Sequence, residues 1–213
     1  MRVISGRQQT ELTPQELRTR AGGFERVVVD VGTGSGRAVL AQAAAEPRTL
    51  VVGLDADAAS MVDASRRAAS APSRGGHPNA LFVVGAAEEL PGPFETLADA
   101  VFVRFPWGSL LRGSIGETGP VAPGLVGMLR PNGELTLLLA LQPRDGYDDL
   151  LPLVTEPPLL GRRLEALYGP LGLRLVDCRW ASTDEVTAAQ SSWARRLRVG
   201  RDRQAVIARL VVD

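Results

Sequence analysis

The residues able to do chemistry gather in a few short stretches. Asp30-Val31-Gly32-Thr33-Gly34-Ser35-Gly36 follows a run of β-branched residues and opens an Ala-rich helical stretch. Glycines at such a junction let the backbone turn sharply and approach a ligand, because no Cβ intervenes. The spacing is Asp-x-Gly-x-Gly-x-Gly. A dinucleotide fingerprint needs a glycine at position 37, where this chain has arginine. That fingerprint aims a helix N-terminus at a pyrophosphate. Asp30 would repel a pyrophosphate and attract the cationic amino group of a methionine moiety. Asp55, about 20 residues past the last glycine, stands where such folds hydrogen-bond ribose hydroxyls; Asp57 is a weaker candidate. Glu88 and Glu89 follow the third expected strand, where a ligand's purine would lie. The alternative is a glycine turn plus helix-capping acids. The set Asp30, Gly32, Gly34, Gly36, Asp55 and Glu88, each after a successive strand, favours a methyltransferase-type site for S-adenosylmethionine.

A second stretch, Arg104-Phe105-Pro106-Trp107-Gly108-Ser109, ends the fourth expected strand. In methyltransferases this loop faces the transferred methyl group. Pro106 stiffens it, and Trp107 offers a flat surface on which a base can stack. Trp193, in Ser191-Ser192-Trp193, is the other aromatic of this kind. The two tryptophans would sandwich a flipped base; ordinary packing is the alternative for each. Trp180 ends a strand and is expected in the core. Five arginines (Arg195, Arg196, Arg198, Arg201, Arg203) follow Trp193 against one acid, Asp202. Four of them have no acid three or four residues away, which favours phosphate binding over a solvated helix face. Arg66 and Arg67 lie in another stretch free of acids, Ala64 to Ala87.

These stretches need a scaffold. Strands are expected at Arg26–Val31, Leu50–Leu54, Leu81–Val84, Ala100–Phe105 and Leu135–Leu141, with helices at Arg37–Glu46, Ala58–Ala71 and Pro123–Leu129 between them. Pro131-Asn132-Gly133 reads as a turn. Such alternation predicts a parallel doubly wound sheet. Two late strands, Leu171–Arg179 and Gln204–Val211, flank a helix whose start is marked by the capping box Ser182-Thr183-Asp184-Glu185. An earlier capping box, Thr13-Pro14-Gln15-Glu16, starts the first helix. The expected fold is therefore α/β: a Rossmann-like class I methyltransferase, with a mostly parallel seven-stranded sheet and an antiparallel C-terminal strand. One domain, 1–213, is expected, with an N-terminal extension over about 1–23 and loop insertions near 72–79 and 142–158.

Composition narrows the partners. The chain has 213 residues, 45% hydrophobic and 23% charged, as in ordinary globular proteins. No apolar run reaches about 18 residues, so no membrane span is expected. The polar N-terminus predicts no secretory signal, and the cytoplasm is the expected location. One cysteine, Cys178, and one histidine, His77, make no disulfide and suggest no metal site; Cys178 reads as a buried strand residue. Net charge is zero and every one of the 24 basic residues is arginine. The clustering of those arginines is what points to nucleic acid.

With these residues in place, the chain resembles the aminoglycoside-resistance 16S rRNA (adenine1408-N1)-methyltransferases, the Kam type of aminoglycoside-producing actinomycetes. The likeness runs nearly end to end. Its most specific segments are Phe105-Pro106-Trp107-Gly108-Ser109-Leu110-Leu111-Arg112-Gly113 and Ser191-Ser192-Trp193-Ala194-Arg195-Arg196-Leu197. The resemblance implies methylation of N1 of adenine 1408 in helix 44 of the 30S subunit. It implies that Asp30, Gly32, Asp55 and Glu88 hold the cofactor. Trp107 and Trp193 would stack on the flipped adenine, with Pro106 and Ser109 shaping the pocket. Arg66, Arg67, Arg196, Arg201 and Arg203 would dock on rRNA. The match weakens over Gln142–Pro158, which is rich in acids and prolines. Rival readings are a tRNA (guanine-N7) enzyme, a small-molecule methyltransferase, a non-catalytic RNA-binding protein on the same fold and, least favoured, a nicotinamide oxidoreductase. A monomer is the default expectation.

Overall fold

The structure is a computed structural model that describes residues 1–116, 119–190 and 203–213. Five parallel strands form its centre: β3 (Arg26–Val31), β4 (Thr49–Asp55), β5 (Ala80–Val84), β6 (Ala98–Arg104) and β7 (Leu129–Leu139). Their sequences are near-continuous apolar runs because both faces of the sheet are covered. Val29, Val52, Val83 and Val101 point into the larger core. That core is capped by α1 (Pro14–Ala21), α4 (Gly108–Ile115), α5 (Val121–Gly127), α6 (Leu151–Thr155) and α7 (Pro157–Tyr168). The opposite face carries Val51 and Phe82 under α2 (Arg37–Ala45) and α3 (Val62–Ala68).

Among the described residues the sheet has nine strands, not the seven expected. Its order is β2-β1-β5-β4-β3-β6-β7-β9-β8. The two extra strands are β1 (Arg2–Ser5) and β2 (Gln8–Glu11), a hairpin that lies antiparallel against β5. The polar N-terminal segment thus extends the sheet edge, and its residues are mostly exposed there. At the other edge, β8 (Leu173–Trp180) and β9 (Val206–Val212) are antiparallel, as expected, with α8 (Thr183–Ala188) between them. Both capping boxes form: Thr13 accepts the amide of Glu16, and Ser182 that of Glu185.

Three smaller expectations change. Pro131-Asn132-Gly133 lies inside β7, where Ala98 and Ala100 of β6 face Leu129 and Glu134. The turn residues loop out as an irregularity in one strand. Trp180 is 40% exposed instead of core, because β8 is the outermost strand and its far side meets solvent. Cys178 is only half-buried; its thiol donates to the Pro157 carbonyl at 3.2 Å. Burial, helped by the Asp177 charge, pushes that thiol up to about 11, away from nucleophilic use. Among the described residues no helix is long and apolar enough to cross a membrane.

Candidate active site

The chain reverses direction across the sheet between β3 and β6, whose neighbours lead to opposite edges. Such a switch point opens a crevice at the carboxyl ends of the strands. A cavity of about 340 Å³ lies there, within the usual size range for small-molecule sites. Its lining brings together Asp30, Gly32, Gly34, Asp55, Glu88, Pro106, Trp107 and Ser109.

The glycine loop is built tightly. The amides of Gly32 and Thr33 both donate to the Leu54 carbonyl, at 2.8 and 3.1 Å. The Gly34 amide donates to Asp55 Oδ2 at 2.7 Å, and the Asp57 amide to Asp55 Oδ1 at 2.9 Å. Asp55 therefore ties the loop to the end of β4 while facing the cavity. Asp57, the weaker candidate, is used otherwise: it caps the turn Ala58–Met61 and does not line the cavity. Gly36 does not line the cavity either. It starts α2 at φ +66°, and an added Cβ would collide with the Phe82 ring and lie 2.8 Å from the Ala64 Cβ. Gly36→Ala is expected to lower stability by about 2–4 kcal/mol, from left-handed strain plus overpacking. Thermal denaturation checks this, and an unchanged melting temperature would refute the packing role.

Asp30 is buried, 2% exposed, and both its oxygens are engaged. Oδ1 meets Arg104 Nη1 at 2.7 Å, and Oδ2 accepts the Thr33 hydroxyl at 2.7 Å. Arg104 also lines the cavity and lies 4.0 Å over the Phe102 ring. The acid expected from sequence is thus half of an ion pair, and its partner went unnoticed there. The only sequence signal was that Arg104 ends β6 beside the strand carrying Asp30.

Glu88 reaches across to the acceptor loop. The Ser109 hydroxyl, more than any other group, holds the Glu88 carboxyl below its ordinary range. Phe105 turns the chain at the end of β6 with φ +51° although it is not glycine, and it is buried. Held strain of this kind collects at functional sites. Here it directs Pro106 and Trp107 into the cavity wall. Tyr147, from the segment read as a loop insertion, packs edge-on to Trp107 with ring centroids 5.6 Å apart.

The sequence pattern of the NpmA family, described as 16S rRNA (adenine(1408)-N(1))-methyltransferase, matches residues 2–212. The chain belongs to that family. A 16S rRNA (adenine(1408)-N(1))-methyltransferase of Streptoalloteichus hindustanus is 37% identical over 98% of this chain and 97% of its own length. Its Escherichia coli counterpart is 29% identical over 95% of this chain and 94% of its own. Among solved structures, the 16S rRNA methyltransferase KamB superimposes with a TM-score of 0.90, at 32% identity and full coverage of both chains. A tryptophan-to-alanine variant of the Catenulisporales acidiphilia enzyme, solved with the cosubstrate SAM, gives 0.83 at 33% identity, covering 100% of this chain and 97% of that one. The NpmA-family fold therefore agrees with the class I methyltransferase expectation, with the added N-terminal hairpin.

The basic residues divide. Arg66 and Arg67 are exposed at the end of α3, and Arg66 pairs with Asp63 at 2.7 Å. Arg203 is a correction. It is 2% exposed and grips Asp145 with two bonds, at 2.6 and 3.0 Å. Its acid lies 58 residues earlier in the chain, so a search three or four residues away missed it. This guanidinium is spent inside the molecule. Trp193, Arg196 and Arg201 lie outside the described residues.

Proposed function

We propose that this chain transfers a methyl group from S-adenosylmethionine to N1 of adenine 1408, in helix 44 of 16S rRNA on the 30S subunit, and so confers aminoglycoside resistance. The match of the NpmA family over residues 2–212 carries this reading. The site's chemistry supports it. Asp30 and Arg104 offer one anion and one cation to the zwitterionic methionine end of the cofactor. Asp55 suits ribose hydroxyls, Glu88 a purine amino group, and Leu54, Ala56 and Ala87 give the apolar walls that a purine needs.

The bound cofactor supplies an electrophilic methyl on its sulfonium. N1 of adenine already carries a lone pair, so attack needs no base. The residues therefore act by holding and aligning. Positioning of this kind can supply about 7–11 kcal/mol. Trp107 forms one face of the acceptor pocket, with Pro106 and Ser109 shaping its floor. The proposed role of Trp193 is to stack on the opposite side of the base. Acting on ribosomal subunits, the protein works in the cytoplasm.

Reverse-transcription mapping of 16S rRNA from 30S subunits incubated with protein and S-adenosylmethionine tests the proposal. A new stop at adenine 1408 is expected, since N1 lies on the pairing edge. No stop, with cofactor binding intact, would overturn the substrate and make tRNA the next one to try.

Docking on rRNA falls to Arg66, Arg67, Arg196 and Arg201. The Arg66–Asp63 pair is exposed, and such pairs are worth only about 0–1 kcal/mol, so a phosphate can displace the carboxylate. Four phosphate contacts predict that log affinity for 30S subunits falls with log salt at a slope of about −3. Salt-independent binding would remove the docking role.

A further inference from the structure

The segment between β7 and α6 carries a side chain that grips the acceptor loop from outside the cavity. Trp107 occupies the cap position of α4 but makes no side-chain capping bond. The first amides of a helix have no partner within it. The amide of Gly108, first residue of α4, is one of these, and it donates to the Tyr147 hydroxyl at 2.8 Å. The same Tyr147 ring meets the Trp107 indole edge-on, 5.6 Å between centroids and 61° between planes. An edge-to-face pair of this kind fixes both ring orientations. One turn along α4, Arg112 sets its guanidinium 5.4 Å over the Tyr147 ring and takes Asp149 with two bonds, at 2.8 and 3.3 Å. One tyrosine is thus held from the helix, caps the helix and buttresses the indole. Neither Tyr147 nor Asp149 lines the cofactor cavity.

We infer that Tyr147 is a positioning residue for methyl transfer: it sets the angle at which Trp107 meets the target base. The inference rests on the proposed stacking of Trp107 on that base. Free of the ring and the hydroxyl, Trp107 would keep its place in the chain. Its plane would lose the constraint that the Tyr147 ring imposes, and the adenine laid on it would lose alignment with the transferred methyl.

The test compares Tyr147→Ala and Tyr147→Phe in the full chain. Four readouts are taken: 30S methylation kinetics, S-adenosylmethionine affinity by calorimetry, melting temperature, and acrylamide quenching of Trp107 in a Trp180→Phe, Trp193→Phe background. Tyr147→Ala is expected to lower methylation kcat by about 100-fold through misplacement of the base. Cofactor affinity should stay unchanged and Trp107 should become more quenchable. Tyr147→Phe keeps the ring and loses only the hydrogen bond, so its loss should be about 2- to 10-fold. Wild-type methylation by Tyr147→Ala, while Trp107→Ala is inactive, overturns the role of Tyr147 and leaves the stacking reading standing. Wild-type methylation by Trp107→Ala removes the stacking reading and this inference with it. Slow methylation with parallel loss of cofactor affinity, or with unchanged quenching, marks general damage and also overturns the inference.

Discussion

Trp107→Ala and Trp193→Ala are each expected to cut methylation of 30S subunits by about 100-fold or more, with cofactor affinity nearly intact. The argument starts from the base. An adenine drawn out of helix 44 loses stacking on both sides, and each aromatic face returns about 1–3 kcal/mol. The reaction then needs N1 on the line of the bond between sulfur and methyl, and a base held on one side only can tilt. Misplacement near 1 Å can alone cost about 100-fold. The residues proposed for cofactor binding lie elsewhere: Asp30 at the end of β3, Asp55 at the end of β4 and Glu88 after β5. Trp107 lines the same cavity from the loop that follows β6. Single-turnover methylation with labelled cofactor, beside calorimetry on the same samples, checks both halves. Wild-type rates in either variant would sink the sandwich.

What was legible in the sequence was local. Both capping boxes depend on neighbours within a few residues and form as read, and Asp30, Gly32 and Gly34 of the glycine run line one cavity with Pro106 and Trp107. The parallel strands were legible because strands buried on both faces leave unbroken apolar runs. The misses share a cause, which is pairing between distant residues. Arg104 meets Asp30 across 74 residues, Arg203 meets Asp145 across 58, and Tyr147 meets Gly108 across 39. No spacing rule connects such partners, since only the sheet order brings them together. The polar hairpin β1–β2 hid for a similar reason. Only Val3 and Ile4 of its residues face the core and β2 is exposed throughout, so its place shows mainly in the pairing of β1 with β5. Gly36 was misread in the other direction. Its position in the motif suggested ligand contact, but its missing Cβ makes room for Phe82 and Ala64.

The buried pair Arg203–Asp145 gives the largest expected effect on stability. Both side chains are nearly closed to solvent, at 0% and 6%. Arg203 Nη1 also approaches the Ala140 carbonyl and Nη2 the Gln142 side chain, each at 3.4 Å, and Asp145 Oδ2 takes the Gln142 amide at 2.8 Å. Arg203 Nε has no partner among the described residues. The pair therefore joins the chain leaving β7 to the chain entering β9, and Arg203 is the last arginine of the cluster. Removing the cation strands a buried carboxylate, which costs about 3–5 kcal/mol. Arg203→Ala should then melt roughly 6–20 °C lower for a chain of this size. Replacing both partners by apolar residues, Arg203→Met with Asp145→Leu, should recover most of that loss, because no charge is left without its partner. A phosphate-docking arginine behaves differently. Its removal leaves the melting temperature unchanged and makes the salt slope of 30S binding shallower by about 1. Thermal denaturation of the single and double variants, with a salt titration of subunit binding, separates the two. An unshifted melting temperature with a shallower slope would return Arg203 to the RNA-docking set.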